Sequence, residues 1–470
     1  MGEKRMKKMK RALALMLALP LMMCAKADNI MEETPPETWR FGFGCAEIAL
    51  PEETDQPIYI SGYNQGWEIA GVYDLCQARA VMLDAGGEKV LLIGIDCIAL
   101  DSGMVRQIRE RLGDLENCSV NVFSTHTHAG PDTLGLWGPV ATNGKNSDYM
   151  ENLIDAAEKA ARQAVSSAKE GTLHFGKVKT EYMLRDSRYP EVADEHLYQL
   201  HFAAADGTAG VRMLFYCAHA ESLRGNNRFV SRDYAGLLCD QVRDATGDDA
   251  IFMPGAVGGL LMTKEFVSTS YPKGAQENLQ ITADKLTKYA LSIVDEREIA
   301  PEMSLSKVIF EVPLDNPAFA LYKFLGILNN DAVKGKSATG YSVRTELSVL
   351  RLGDIAVALI PGELFPELAY GGKYGMMNPE AENPAPLVEI AREFGVQELL
   401  IIGLANDELG YIVPPSDFLL NENAPYIERI KDSLGEDHYE ETNSVGPECA
   451  GAIARAFEDA LRAIEAEAGA

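Results

Sequence analysis

Alternating runs of hydrophobic and polar residues predict strands that are joined in hairpins and separated by helices. Residues 81–83 and 90–100 flank an Ala-Gly-Gly turn, and residues 197–203 and 211–218 flank Asp206-Gly207-Thr208, so each pair is predicted to form a hairpin. Apolar residues at helical spacing predict helices over residues 101–112, 148–168, 233–246, 275–294 and 450–466. Because hairpins join antiparallel strands, we expect a mixed α/β fold with largely antiparallel sheets flanked by helices.

Several predicted strands lead directly into polar side chains that can bind a metal. Four mostly apolar runs, at residues 120–123, 211–218, 355–360 and 399–404, precede His126 and His128, His219, Glu363, and Asn406 to Tyr411, respectively. Side chains alternate along a strand, so His126 and His128 are expected on one face. Each residue alone can also be a hydrogen-bonded strand end. Together they would suit a catalytic zinc site with three nitrogen or oxygen ligands and an open position.

Motifs that would favour other chemistry are absent from the sequence. It contains no HExxH, no GxSxG and no Walker A loop. Seven cysteines follow Cys24, an odd number without CxxC spacing. Neither a disulfide framework nor a zinc-finger pattern is therefore predicted.

The N-terminal segment predicts export. Residues 1–11 are strongly basic, the next twelve residues are apolar, and Ala25-Lys26-Ala27 offers a cleavage site. We therefore interpret residues 1–27 as a signal peptide and residues 28–470 as the mature chain. The apolar run is too short to span a bilayer comfortably, and no later segment approaches that length. The predicted location is secreted or within the cell envelope, with a lipid anchor on Cys24 as the alternative.

The charge of the chain excludes one class of partner. The formal net charge is −27, and the signal segment carries seven Lys/Arg and one Glu, which leaves −33 on the mature chain. Such a surface repels nucleic acid and anionic lipid headgroups within the limits of salt screening. No nucleic-acid partner is expected.

Motifs spread along the chain resemble those of the neutral/alkaline non-lysosomal ceramidase family. Residues 124–131 (STHTHAGP) resemble its first histidine motif, and His219 with residues 226–231 (NNRFVS) is similar to its second histidine block. Further similar blocks are 41–44 (FGFG), 77–80 (QARA), 361–363 (PGE), 404–412, 438–440 (HYE) and 446–447 (GP). The blocks follow the order of the family from about residue 40 to residue 465.

The resemblance implies a set of site residues and a cofactor. The implied Zn²⁺ ligands are His126, His219, Glu363 and Tyr411. His128 would donate or accept a proton beside the metal, and Tyr439 would hold the developing oxyanion. Three nearby aspartates are candidates for orienting the ligand imidazoles, namely Asp96, Asp233 and Asp407.

One departure from the family concerns a serine. Ceramide-cleaving members carry a G-D-x-S-P segment, whereas residues 258–262 here read GGLLM. Leu261 stands where the family has its serine, and Gly259 stands where it has the acidic residue. Ser268 and Ser270 are near in sequence, with nothing to place them at the metal. Hydrolysis would then use zinc-activated water, or the activity has changed or been lost.

Two further departures concern length. The chain ends after the catalytic region, so we expect one large catalytic domain without the C-terminal immunoglobulin-like domain of longer ceramidases. Residues 374–396 look inserted relative to the family. Insertions near a site usually reshape what it accepts.

Three functional hypotheses follow. The first is a secreted zinc amidohydrolase of lipid metabolism that cleaves the N-acyl bond of a ceramide-like or other N-acylated substrate. The second is a zinc hydrolase of another class, an esterase or an amidase acting on a polar cell-wall or glycan fragment. The third is a non-catalytic binding protein on the same fold. Leu261 favours the third hypothesis, whereas retention of all implied ligands and of Tyr439 argues against it.

Overall fold

The computed structural model describes residues 38–87, 89–262 and 273–469, which belong to one compact unit. Three sequence predictions lie outside the described residues. They concern the signal peptide at 1–27 with Cys24, and the serines at 268 and 270.

The strands are short to medium in length and occur throughout the described chain. They are β1 (Trp39–Glu47), β2 (Gly71–Val72), β3 (Gln77–Asp84), β4 (Lys89–Ile95), β5 (Cys118–Ser124), β6 (Lys169–Lys179), β7 (Leu184–Asp186), β8 (His196–Ala204), β9 (Val211–Tyr216), β10 (Phe229–Val230), β11 (Asp249–Pro254), β12 (Leu260–Met262), β13 (Arg297–Ile299), β14 (Met303–Leu314), β15 (Asp331–Lys334), β16 (Tyr341–Leu352), β17 (Ile355–Leu359), β18 (Glu363–Leu364), β19 (Glu398–Ile402) and β20 (Tyr411–Ile412).

The helices alternate with groups of strands. They are α1 (Ser102–Arg111), α2 (Ser147–Ser166), α3 (Asp233–Thr246), α4 (Lys273–Leu291), α5 (Pro317–Phe324), α6 (Pro366–Tyr370), α7 (Leu387–Glu393) and α8 (Cys449–Ala468), with short 3₁₀ helices at Pro415–Asp417 and Glu440–Asn443.

Two larger sheets dominate the fold. The first has the strand order β11-β9-β8-β6-β1-β3-β4-β5, with β13 paired to β6, and the second has the order β14-β16-β17-β19, with β15 paired to β16. Most pairings are antiparallel, whereas β2–β10, β4–β5, β9–β11, β17–β19 and β18–β20 are parallel. The predicted mixed α/β fold with largely antiparallel sheets is confirmed.

The two sheets pack face to face because their strands are apolar on both faces. In β3, Val81 and Leu83 belong to the core between the sheets, whereas Ala80 and Met82 pack with helices α1 and α2 on the outer face. Strand β16 alternates in the same way, since Leu350 faces the first sheet while its opposite face packs with α8. Successive side chains point to opposite faces of a strand, so such strands read as continuous apolar runs. The layers are therefore helix, sheet, sheet and helix.

Backbone hydrogen bonds beyond the sheets bring several strand ends together. Asn406 N donates to Val122 O at 2.7 Å, which joins the residues after β19 to β5. Leu404 N donates to Gly362 O at 3.2 Å, which joins them to the turn after β17. The segments that carry the candidate site residues thus meet at one place.

Several predicted elements are confirmed with shifted ends. Both predicted hairpins are present, and the predicted helix at 233–246 is α3 itself. The predicted strand at 90–100 ends at Ile95, because Asp96 N turns back to donate to Gln77 O. The apolar residues that follow are buried loop, which hydrophobicity alone does not distinguish from strand. The half-exposed strands β6 and β14 were not predicted.

Two simpler expectations concern membranes and cysteines. Among the described residues, no helix combines the length and the apolar composition needed to cross a membrane. The seven described cysteines are free thiols, and most of them are buried.

Candidate metal centre

Three histidines and a glutamate from distant parts of the chain converge in the structure. Ligand nitrogens of His126, His128 and His219 all lie within 4.8 Å of one another. Glu363 Oε2 lies 3.0 Å from His219 Nε2 and 3.3 Å from His126 Nε2. Four residues that the sequence singled out are therefore neighbours.

The two histidines of the STHTHAGP segment are neighbours for a reason other than the predicted one. Strand β5 ends at Ser124, and His126 has the left-handed φ of 62°, so the expected strand alternation is wrong here. The turn still brings the imidazoles of His126 and His128 together, with ring centroids 4.8 Å apart and Nε2 atoms 3.3 Å apart.

Hydrogen bonds fix the tautomers of two of the imidazoles. His126 Nδ1 lies 2.7 Å from the carbonyl oxygen of Ile98, and His219 Nδ1 lies 2.7 Å from that of Leu260. A carbonyl oxygen only accepts, so each Nδ1 carries the proton and donates it. The neutral form of each ring then presents a lone pair at Nε2, towards Glu363 Oε2.

This arrangement fits a divalent metal ion. Acceptor atoms that face one another at 3.0–3.3 Å repel unless a cation or a proton lies between them. Ligand atoms about 2.0–2.1 Å from a tetrahedral zinc are separated by roughly 3.3 Å, which is close to these separations. Imidazole and carboxylate together suit zinc, and the Nδ1 bonds orient two of the rings as ligands require.

A proton can stand between these atoms in place of a cation, because Glu363 outweighs burial and raises the pKa of His219 above its usual value. Burial alone would raise the pKa of Glu363, but His126 and His219 outweigh it and hold that pKa below its usual value. Burial lowers the pKa of His128 well below its usual value, and the two neighbouring histidines lower it further. Glu363 is therefore a carboxylate, and His128 is a neutral imidazole.

The predicted tyrosines lie beside this cluster. Strands β18 and β20 pair in parallel with Glu363 opposite Tyr411, and both residues are buried. The hydroxyl oxygens of Tyr411 and Tyr439 are 3.4 Å apart, and their rings meet edge to face. Burial raises the pKa of both phenols well above the usual value, so both hydroxyls keep their protons.

The three aspartates proposed to orient the imidazoles do not contact them. Asp96 accepts from Thr125 Oγ1 and from Gln77 N. Asp233 accepts from backbone N–H groups that follow His219 and begin α3, and Asp407 accepts from the N–H of Ser102 at the start of α1. The hypothesis is therefore wrong for all three. Backbone carbonyls hold the imidazoles instead.

The segment that carries Leu261 runs along the site. Both the backbone N and Nδ1 of His219 approach the carbonyl oxygen of Leu260, and β12 pairs with β7 so that Leu261 lies opposite Arg185. The family's serine would thus stand one residue beyond a carbonyl that orients His219. The predicted insertion at 374–396 forms a loop followed by α7.

The sequence did not point to Tyr63 or to its partner Glu221. The Tyr63 ring meets the His128 ring edge to face, with centroids 5.2 Å apart, and its hydroxyl donates to Glu221. Tyr63 lies in an irregular loop without periodicity, so no pattern indicated it. The glycine before it was the only available signal, since Gly62 has a φ of +104°.

Fold and site together define a mixed α/β protein with a histidine–carboxylate centre suited to a metal ion. Residues 41–251 match the sequence profile of the neutral/alkaline non-lysosomal ceramidase family, N-terminal region. This match confirms the resemblance found in the motifs over these residues.

Two curated proteins are similar in sequence to part of this chain. The chain is 25% identical to the neutral ceramidase of Drosophila pseudoobscura pseudoobscura and 24% identical to that of Drosophila melanogaster, in each case over 232 residues. Each alignment covers 43% of this chain and 32% of the relative. The match thus spans about a third of the length of these relatives.

Solved structures show the fold over most of the chain. The crystal structure of neutral ceramidase from Pseudomonas aeruginosa superposes with a TM-score of 0.71 at 17% identity, covering 92% of this chain and 75% of that one. A ceramidase complexed with C2 gives a TM-score of 0.70 at 15% identity, covering 92% and 76%.

Proposed function

We propose that this chain is a zinc-dependent hydrolase that cleaves the amide bond of a ceramide-like or other N-acylated lipid. One observation carries the proposal: the Nε2 atoms of two oriented imidazoles, His219 and His126, lie 3.0 Å and 3.3 Å from the same carboxylate oxygen of Glu363. The relatives named neutral ceramidase support the reaction class, since ceramide is an N-acyl lipid.

The proposed zinc ligands are His126, His219, Glu363 and Tyr411, of which Tyr411 lies opposite Glu363 in the pairing of β18 with β20. Bound there, zinc would act as a Lewis acid on the scissile carbonyl and make water a nucleophile at neutral pH. Leu261 offers no nucleophile of its own, so water is the attacking group in this proposal.

His128 and Tyr439 would handle protons and charge. His128 is neutral and its Nδ1 makes no hydrogen bond, so the ring can take a proton from the attacking water and return it to the leaving amine. The protonated hydroxyl of Tyr439 can donate to the oxygen on which negative charge develops.

Location and domain organisation stay part of the proposal. The basic and apolar residues 1–27 support export, which would place the enzyme outside the cytoplasm or, through Cys24, on a membrane surface. Residues 28–470 are proposed as one hydrolase domain.

The proposal is tested with a substrate panel and a matched pair of variants. The panel contains a long-chain ceramide, a short-chain N-acyl sphingosine, a water-soluble N-acyl amino acid and an ester of similar shape. We expect cleavage of the N-acyl lipids, and a loss of about 100-fold or more in kcat/KM for Glu363→Gln. Glu367→Gln, a buried glutamate four residues away, is the control and should retain activity.

Other outcomes would overturn the proposal. Cleavage of the ester or the water-soluble amide alone would assign the site to another class of hydrolase. Equal activity in Glu363→Gln and the unchanged chain would show that the cluster is not the catalytic centre.

A further inference from the structure

A tyrosine outside the predicted site closes over His128. The rings of Tyr63 and His128 meet at 65° with centroids 5.2 Å apart. The Tyr63 hydroxyl donates to Glu221, which is 5% exposed. Tyr63 itself is 39% exposed, so it has one part against the site and another in solvent.

His128 differs from the other two histidines in what holds it. Backbone carbonyls fix the imidazoles of His126 and His219, whereas Nδ1 of His128 is buried and makes no hydrogen bond. The described residues orient it through the 3.3 Å contact between its Nε2 and that of His126, and through ring contacts with His126, His219 and Tyr63. Two of these partners are proposed zinc ligands, which leaves Tyr63 as the one that metal binding does not engage.

The loop that carries Tyr63 packs closely against His128 and against the loop at Gly225. A Cβ at Gly62 would lie 2.7 Å from the Cβ of His128, and a Cβ at Gly225 would lie 3.1 Å from the Tyr63 ring. Asn64 Nδ2 donates to Gly225 O at 2.8 Å and ties the two loops together. Burial and the Glu221 carboxylate raise the pKa of Tyr63 well above its usual value, so its hydroxyl remains the donor.

We propose that Tyr63, held by Glu221, is a positioning residue that sets the orientation of the His128 imidazole. The inference rests on the proposed function, in which His128 accepts and returns a proton. A proton transfer needs its groups aligned within hydrogen-bond reach, so a ring that is free to swing would slow the reaction without weakening metal binding.

The first test reads the position of His128 without using activity. Zinc-loaded protein is treated with diethyl pyrocarbonate, and modification of the peptide that carries His128 is followed by mass spectrometry. Removing the ring in Tyr63→Leu should raise the rate of modification about 5-fold, and Tyr63→Phe, which keeps the ring but loses the bond to Glu221, about 2-fold. Tyr341→Leu, at an exposed tyrosine in β16, is the matched control and should leave the rate unchanged.

The second test separates positioning from substrate binding and from folding. With zinc content equal to that of the unchanged chain, Tyr63→Leu should lower kcat about 10-fold and change KM by less than about 3-fold, with Tyr63→Phe in between. Tyr63→Phe and Glu221→Gln should lose less together than the sum of their separate effects, because both act through one hydrogen bond. If Tyr63→Leu fails to fold, Tyr63→Phe and Glu221→Gln carry the test.

The two proposals fail in different ways. If the unchanged chain cleaves no N-acyl substrate while the His128 modification still depends on Tyr63, the proposed function is wrong and the positioning contact stands. If Tyr63→Leu leaves both the modification rate and kcat unchanged, or raises KM alone, the positioning role is overturned.

Discussion

Replacing Arg188 with methionine should expose how a buried acidic cluster is neutralised. Arg188 is 3% exposed, and its guanidinium contacts Asp417 at 2.9 Å, Glu441 at 2.9 Å and Glu440 at 3.3 Å. Glu440 and Glu441 are each 0% exposed. His438 Nδ1 also lies 2.8 Å from Arg188. Without Arg188, Asp417 and Glu440 would lose their cationic contact, and among the described residues only His438, 2.8 Å from Glu441, would remain beside the carboxylates.

The expected loss is large at high pH and small at low pH. Removing one partner of a buried ion pair costs about 3–5 kcal/mol, so we take about 4 kcal/mol at pH 8. Burial already raises the pKa of Asp417 to about 6 with Arg188 present, and the loss of Arg188 raises the pKa values of Asp417 and Glu440 further. The folded variant then binds more protons than the unfolded chain, so its stability recovers as pH falls. One additional proton reduces the loss by roughly 1.4 kcal/mol per pH unit, to about 1–2 kcal/mol at pH 6.

The assay is urea unfolding at pH 8 and pH 6, with Arg185→Met as the control. Arg185 is exposed and lies three residues from Arg188, so its loss should change the free energy of unfolding by no more than about 0.5 kcal/mol at either pH. The reasoning is refuted if Arg188→Met stays within about 1 kcal/mol of the unchanged chain at pH 8, or if its loss grows as pH falls.

Three further predictions follow from single contacts. Asp233 accepts three backbone N–H bonds, so Asp233→Ala should lower the free energy of unfolding in urea by about 2–3 kcal/mol. Asp233→Asn keeps one acceptor oxygen and should lose less. An equal loss for the two variants would contradict this prediction. Burial raises the pKa of Glu367 to about 8, above its unfolded value, so the free energy of unfolding falls as pH rises. Glu367→Gln should therefore raise the free energy of unfolding by roughly 2–3 kcal/mol at pH 8 and by almost nothing at pH 5. A gain in stability that does not depend on pH would refute this prediction. Gly62→Ala should lower the free energy of unfolding by about 1–3 kcal/mol, because the new Cβ would lie 2.7 Å from the Cβ of His128. It should also change the rate at which diethyl pyrocarbonate modifies His128. Unchanged stability together with an unchanged modification rate would contradict this prediction.

Much of the fold could be predicted because burial leaves a local signature. Helix α3 was predicted at its observed ends, since its apolar spacing stops at Gly247, which adopts the left-handed conformation typical of a helix end. Strand β4 was predicted too long, because residues 97–100 are as buried as the strand they follow. Whether a buried run continues in a sheet depends on its partners, which the run itself does not encode.

The candidate site also contains residues that the sequence predicted and groups that it could not predict. The motifs singled out His126, His219 and Glu363, and the structure brings these residues together. The groups that orient the imidazoles are the carbonyls of Ile98 and Leu260, which every residue type possesses, so no sequence pattern could reveal them. Side chains that looked suitable, the three aspartates, bind backbone N–H groups and a threonine hydroxyl instead.

The most direct test of the central claim is the zinc content of the purified chain after zinc reconstitution and removal of excess metal. The account predicts about one zinc per chain, and close to none in His219→Ala, because that variant loses an oriented nitrogen ligand. His174→Ala, a half-buried histidine hydrogen-bonded to Thr172 on β6, should bind zinc like the unchanged chain. Absence of bound zinc in the unchanged chain, or equal zinc in His219→Ala, would contradict the account.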